Sequence, residues 1–111
     1  MNDFISSLTN DSKSIVFNDT MSVIEANYLF NPTAFKNGDI ENKAGENSGS
    51  CKLFYFAKLN ELSKQQTLNC FAEHYQNVLD TPKGDNHQNI RNFMQYGWDG
   101  ISFQGEALQL K

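Results

Sequence analysis

The sequence predicts an α+β fold, with four or five short helices packed with two β-hairpins forming a small antiparallel sheet. Three observations lead there. Ser63-Lys64-Gln65-Gln66 is a capping-box helix start, followed by apolar residues at helical spacing. Asn37-Gly38 is a two-residue hairpin signal between Phe35 and Ile40. Gln104-Gly105 lies between the apolar runs 101–103 and 107–110, which reads as a second hairpin. The 111 residues make a single domain over 1–111, large enough to bury roughly two-thirds of its unfolded surface.

Taken in order, Phe4, Ile5 and Leu8 predict a brief amphipathic helix within residues 2–9, ended by a polar turn at 10–14. Asn18 or Asp19 is expected to cap a helix running to about Tyr28, with Met21, Ile24 and Tyr28 on one stripe. Pro32 disfavours helix at Asn31. After the first hairpin, AGENSG at 44–49 is a loop, and Ser48 or Ser50 is expected to cap the next helix. CKLFYFAKL at 51–59 is apolar nearly all round and reads as a buried helix. From Ser63 one helix is expected past Leu79, with Leu68, Phe71, Ala72, Tyr75 and Leu79 inward, until Thr81-Pro82-Lys83-Gly84 stops it. A last helix starts at a cap from Asp85 or Asn86, buries Ile90, Phe93 and Met94, and ends at Gly97, a natural left-handed C′ residue.

Composition narrows the function classes. A net charge of −4 with a single arginine, Arg91, argues against nucleic acid and anionic membrane surfaces as partners. Cys51 and Cys70 form no CxxC pair and read as reduced core thiols. No apolar run approaches the roughly 20 residues of a membrane span, and the N-terminus has no apolar signal core.

Three strings carry a resemblance: EANYLFNPTAFKNG at 25–38, AGENSGSCK at 44–52 and DNHQNIRNFM at 85–94. Together with the segments around them, they closely resemble the HopJ type III effector family from about Phe17 to the C-terminus. The third string carries an additional residue, Asn86, between Asp85 and His87. The resemblance implies a bacterial protein, resident in the cytoplasm or delivered by a type III system into a host cell. The polar N-terminal 20 residues, rich in Ser, Thr and Asn, are compatible with such a signal. The resemblance implies no catalytic residue, substrate or cofactor.

Candidate chemistry centres on four residues. His87 and Arg91 are spaced i, i+4, one turn apart on one face near a helix start, where free N–H groups favour an anion. Arg91 would supply the chain's only bidentate clamp, its bland role being a structural salt bridge. Glu25 lies between Ile24 and Ala26, where desolvation could make it a base; otherwise it lies on a solvated flank. Cys51 lies near a helix N-terminus that would lower a thiol pKa, or is simply a buried small side chain. A metal would need His74, His87, Asp85 and a cysteine, which no spacing forces together. Trp98 and Tyr96 either anchor a partner or close the core.

Two functions follow. One is a non-enzymatic, effector-like protein that binds a host or bacterial protein through an exposed apolar patch, with a mobile N-terminus. The other is a small cytosolic protein that binds an anionic metabolite, or does acid–base chemistry, where His87, Arg91, Glu25 and Cys51 converge.

Overall fold

The computed structural model describes residues 2–111. Its helices are α1 (Asn2–Asn10), α2 (Phe17–Asn27), α3 (Ser48–Leu59), α4 (Lys64–Cys70), α5 (Glu73–Asp80) and α6 (Gln88–Tyr96). Its strands are β1 (Tyr28–Phe30), β2 (Phe35–Asn37), β3 (Ile40–Asn42), β4 (Ile101–Phe103) and β5 (Leu108–Leu110). Short 3₁₀ turns occupy Ser12–Ser14 and Gly97–Gly100. The α+β class is as the sequence predicts.

The core is built on α3. Cys51, Leu53, Phe54, Tyr55, Phe56 and Ala57 are all buried, so the apolar run is a helix enclosed over most of its circumference. Phe54 is fully buried and meets the rings of Phe35, Phe71 and Phe93 at centroid separations of 6.1, 5.4 and 5.0 Å. Burying a side chain of this size contributes on the order of 2–3 kcal/mol. The capping box at Ser63 forms as expected: Gln66 N–H donates to Ser63 Oγ at 3.1 Å, and Ser63 N–H donates to Gln66 Oε1 at 2.9 Å.

The first hairpin forms with a one-residue shift. Asn37 pairs with Ile40, so Gly38 and Asp39 are the central residues, and only Gly38 has positive φ, at 63°. That is the φ pattern of a type II′ turn rather than the expected I′.

The second hairpin does not form. β4 pairs antiparallel with β2, and β5 pairs antiparallel with β1. Between these pairings, Asn31 N–H donates to Ala107 O at 2.8 Å and Gln104 N–H donates to Ala34 O at 3.0 Å. All of these fall in one register. Residues 28–37 and 101–110 therefore form a single antiparallel ribbon, interrupted between Asn31 and Ala34, where the bonded positions change from odd to even residues. The result is a three-stranded sheet ordered β3-β2-β4 and a two-stranded sheet β1-β5. This also corrects the end of α2: Tyr28 is a strand residue, drawn out of the helical stripe by its pairing with Leu110.

The long helix expected from Ser63 is broken at Ala72, which has φ 53° and ψ −119°. Beyond the break the inward stripe shifts to Val78, and Leu79 is exposed. The expected caps move as well. Val16 precedes α2 and its N–H donates to Asp19 Oδ2 at 3.0 Å; Val16 has no side-chain acceptor, so only this half of a box exists. Phe17 N–H is capped from outside the helix by Glu73 Oε1 at 2.6 Å.

Candidate functional site

The break at Ala72 turns α5 so that His74 faces the start of α6. The imidazoles of His74 and His87 stand 5.1 Å apart between centroids, and both line a cavity of about 340 Å³. One wall is the first turn of α3, with Asn47, Gly49 and Ser50; another is the first turn of α6, with Gln88, Asn89 and Ile90. Phe17 and Phe71 supply the apolar side.

The two helix starts are built alike. The residue before α3 is Asn47, with φ 51° and ψ 49°; the residue before α6 is His87, with φ 51° and ψ 48°. Both are left-handed, whereas an N-cap residue is normally extended and gives its side chain to the first-turn N–H groups. Neither does so here. Backbone bonding begins only with Cys51 N–H to Asn47 O at 3.0 Å, and with Ile90 N–H to His87 O, also at 3.0 Å. The N–H groups of Gly49, Ser50, Gln88 and Asn89 thus meet no acceptor among the described residues, which gives both starts an anion-favouring character.

The buried Asn37, Asn42 and Asn89, with the exposed Asn47, hold the two starts in place. Asn89 Nδ2 donates to Asn42 Oδ1 at 3.1 Å, and Asn42 Nδ2 donates back to Asn89 Oδ1 at 3.2 Å. Asn47 Nδ2 donates to the same Asn42 Oδ1 at 2.7 Å. Asn37 Nδ2 donates to Asn89 O at 2.8 Å and to its Oδ1 at 3.0 Å, which leaves Asn37 Oδ1 buried without a donor among the described residues. The chain Asn89–Asn42–Asn47 connects α6 to α3 through β3.

The imidazole nitrogens of His74 and His87 have no hydrogen-bond partner among the described residues; His74 meets Phe17 edge-on at 4.7 Å. His87 is held below the ordinary histidine pKa, first by desolvation, then by the neighbouring His74 and by Arg91. It is therefore mainly neutral at pH 7.

Of the four residues singled out in the sequence, only His87 lines this cavity. Arg91 is turned onto the 81–86 loop. Its guanidinium donates to Asn86 O at 2.6 Å, Asn86 Oδ1 at 2.7 Å, Thr81 O at 2.9 Å and Thr81 Oγ1 at 3.2 Å. It closes that loop with neutral acceptors rather than with an acid. Because His87 is left-handed and outside the helix, the i, i+4 geometry expected of the pair does not arise. Glu25 is exposed and pairs with Lys52 Nζ at 3.4 Å. Cys51 is buried, its Sγ donates to Thr33 O at 3.4 Å, and desolvation raises its pKa despite that bond. Cys70 is free and buried too, its pKa pushed up to about 12 by burial. His74 and His87 do meet, but no group of three His, Cys, Asp or Glu among the described residues is placed to hold a metal. Trp98 is half-buried, edge-on to Phe93 at 5.2 Å, and its Nε1 donates to Leu62 O at 3.1 Å.

A family model described as the HopJ type III effector protein matches residues 1–108. The chain belongs to the HopJ type III effector protein family. The crystal structure of VPA0580, a protein of unknown function, is similar to this HopJ protein at 49% identity and a TM-score of 0.98, covering 100% of this chain and 93% of that one. No curated protein matches it. No helix of the described HopJ chain is long and apolar enough to cross a membrane. Two of the three HopJ strings, AGENSGSCK and DNHQNIRNFM, supply the two helix starts of the cavity. His74 comes from outside them, and nothing in the sequence marks the helix break that brings it to His87.

Proposed function

We propose that this HopJ-family protein is a binding protein for a small anionic ligand, received in the cavity between α3, α5 and α6. One observation carries the reading: two helix starts without side-chain caps and two imidazoles without partners line the same cavity. N–H groups at a helix start present partial positive charge to a ligand, and each imidazole can donate one hydrogen bond when neutral and two when protonated. The anion site rests on His74 and His87, with Arg91 closing a loop beside it, and Glu25 and Cys51 outside it.

The partner-protein reading draws less support. The large exposed apolar residues Val16, Leu29, Leu59, Leu79, Tyr96 and Leu110 belong to different elements or their caps. Leu29 and Leu110 share a ribbon, but Leu110 lies opposite Tyr28, so strand alternation puts Leu29 on the other face. The N-terminus is also docked: Leu8 is buried, Phe4 meets Phe56 edge-on at 6.1 Å, and Gln66 Nε2 donates to Thr9 Oγ1 at 3.0 Å. Family membership supports delivery through a type III system, and export would require α1 to detach.

Titration with inorganic phosphate, followed by the imidazole resonances of His74 and His87, tests the anion site. Both should shift with saturation at millimolar phosphate. A His74→Gln, His87→Asn double variant, in which asparagine tolerates the left-handed backbone, should weaken binding at least about tenfold, the loss of roughly one charge-assisted hydrogen bond. Resonances that stay fixed would sink the proposal.

A further inference from the structure

We propose that Asn37-Gly38 is a deamidation site held closed by the fold, so that conversion of Asn37 marks chains that have been unfolded and lowers their ability to fold again. The inference stands on the β2–β3 turn and its contacts, independently of the cavity.

The chemistry needs only water. Where glycine follows asparagine, no side chain hinders the backbone nitrogen. In an open chain Gly38 N attacks Asn37 Cγ and forms a C–N bond, and Nδ2 leaves as ammonia. Water then opens the five-membered imide at either carbonyl, giving aspartate or isoaspartate with no oxidation or reduction. Asn37-Gly38 is the only Asn-Gly pair in the sequence.

The fold opposes each participant. Asn37 is fully buried, in the middle strand of the β3-β2-β4 sheet. Its Nδ2, the leaving group, donates to Asn89 O at 2.8 Å and to Asn89 Oδ1 at 3.0 Å. Gly38 N–H, the nucleophile, donates to Gly100 O at 2.9 Å. Between the two, Asn37 O accepts from Asn92 Nδ2 at 2.8 Å. Yet the fold requires both residues of this labile pair. Only an amide at 37 makes these bonds to Asn89. Gly38 has φ 63°, and a Cβ there would run into the Tyr96 ring.

The product does not fit the same place. In aspartate, the oxygen replacing Nδ2 would face two acceptors, Asn89 O and Oδ1. The other oxygen would stand where Asn37 Oδ1 already has no donor among the described residues. A buried carboxylate left without a partner is strongly destabilising. Isoaspartate adds a carbon to the main chain, where Asn37 pairs with both Ile40 and Ile101, and so disturbs the register of both neighbouring strands.

The experiment incubates the full chain in mildly alkaline buffer with and without urea and follows residue 37 by peptide mass mapping. In urea Asn37 should convert ahead of every other asparagine. In native buffer it should convert at least about a hundredfold more slowly, because the reaction then waits for the rare open form. Gly38→Ala, compared only in urea where folding plays no part, should slow the conversion several-fold. Asn37→Asp supplies the aspartate product directly and should melt at least about 10 °C below wild type or fail to fold. Equal conversion rates with and without urea would overturn the shielding, a reading made on the wild type alone. Earlier conversion of another asparagine in urea would overturn the site. An Asn37→Asp variant that melts within a few degrees of wild type would overturn the effect on refolding.

Discussion

His87 has two consequences that run in opposite directions with pH. Its pKa in the fold lies below the ordinary value of about 6.5, because desolvation, His74 and Arg91 all oppose its charge. Above about 6.5 neither folded nor unfolded chain holds the proton, so stability is unaffected. As pH falls through that value the unfolded chain takes up a proton that the fold resists, and stability declines until the folded pKa is passed. Melting temperature should therefore drop over this window, and His87→Asn should flatten this part of the profile. An anion reverses the sign, because it binds the imidazolium better, so affinity for phosphate should rise through the same window. Ala72 offers a second test at this scale. Its positive φ of 53° with ψ −119° lies where only glycine is comfortable, a strain of about 1–3 kcal/mol. Ala72→Gly should stabilise the protein by about 1 kcal/mol in denaturant titration, the relief exceeding the added chain entropy. Neither backbone feature is legible in the sequence. Asp85 and Asn86 are better caps than histidine by type, but Asn86 is engaged by Arg91, which leaves His87 to make the turn.

At the scale of elements, helices and strands differ in how much the sequence shows. The Ser63–Gln66 box and the buried α3 are local, each decided within a few residues, and each forms as its spacing predicts; α6 also stops at Gly97, but at φ 65° and ψ −156° rather than in the left-handed α conformation expected. The break between α4 and α5 follows from tertiary demand instead: it sets Phe71 against Phe54 and frees Glu73 to cap α2. The asparagine chain is similar. Asn37, Asn42, Asn47 and Asn89 lie in turn-rich strings, where asparagine is the expected residue, so nothing distinguishes a turn asparagine from a buried connector. Asn89→Ala distinguishes them. It removes both bonds to Asn42 and leaves the buried Asn42 Nδ2 without its acceptor. The expected loss is about 2–3 kcal/mol by chemical denaturation, where a turn asparagine exposed to water would lose within about 0.5 kcal/mol. The same variant should weaken phosphate binding, because Asn47 loses the anchored partner that holds the start of α3.

At the scale of the whole molecule, the decisive feature is the ribbon between residues 28–37 and 101–110. The sequence suggested that the C-terminal segment folds on itself around Gln104-Gly105, since hairpin signals are local and a partner some 80 residues away leaves no mark in composition. The pairing makes a sharp prediction for a chain ending at Glu106. Had 101–110 been a local hairpin, removing its outer strand would fray one edge. In the observed fold the deletion strips β1 of its partner and removes Ala107 and Leu108, at 0% and 3% exposure. It also removes the carbonyl that Asn31 N–H donates to and the bond from Lys111 N–H to Asn27 O at 3.1 Å. Leu108 alone represents roughly 2–3 kcal/mol of burial, and the lost ladder bonds add about 1 kcal/mol each. The total is on the order of 5 kcal/mol, comparable with the whole stability of an ordinary domain. The truncated chain should therefore lose its cooperative thermal transition by circular dichroism and bind no phosphate. A truncated chain that melts within a few degrees of the full one would show that the C-terminal segment does not close the fold.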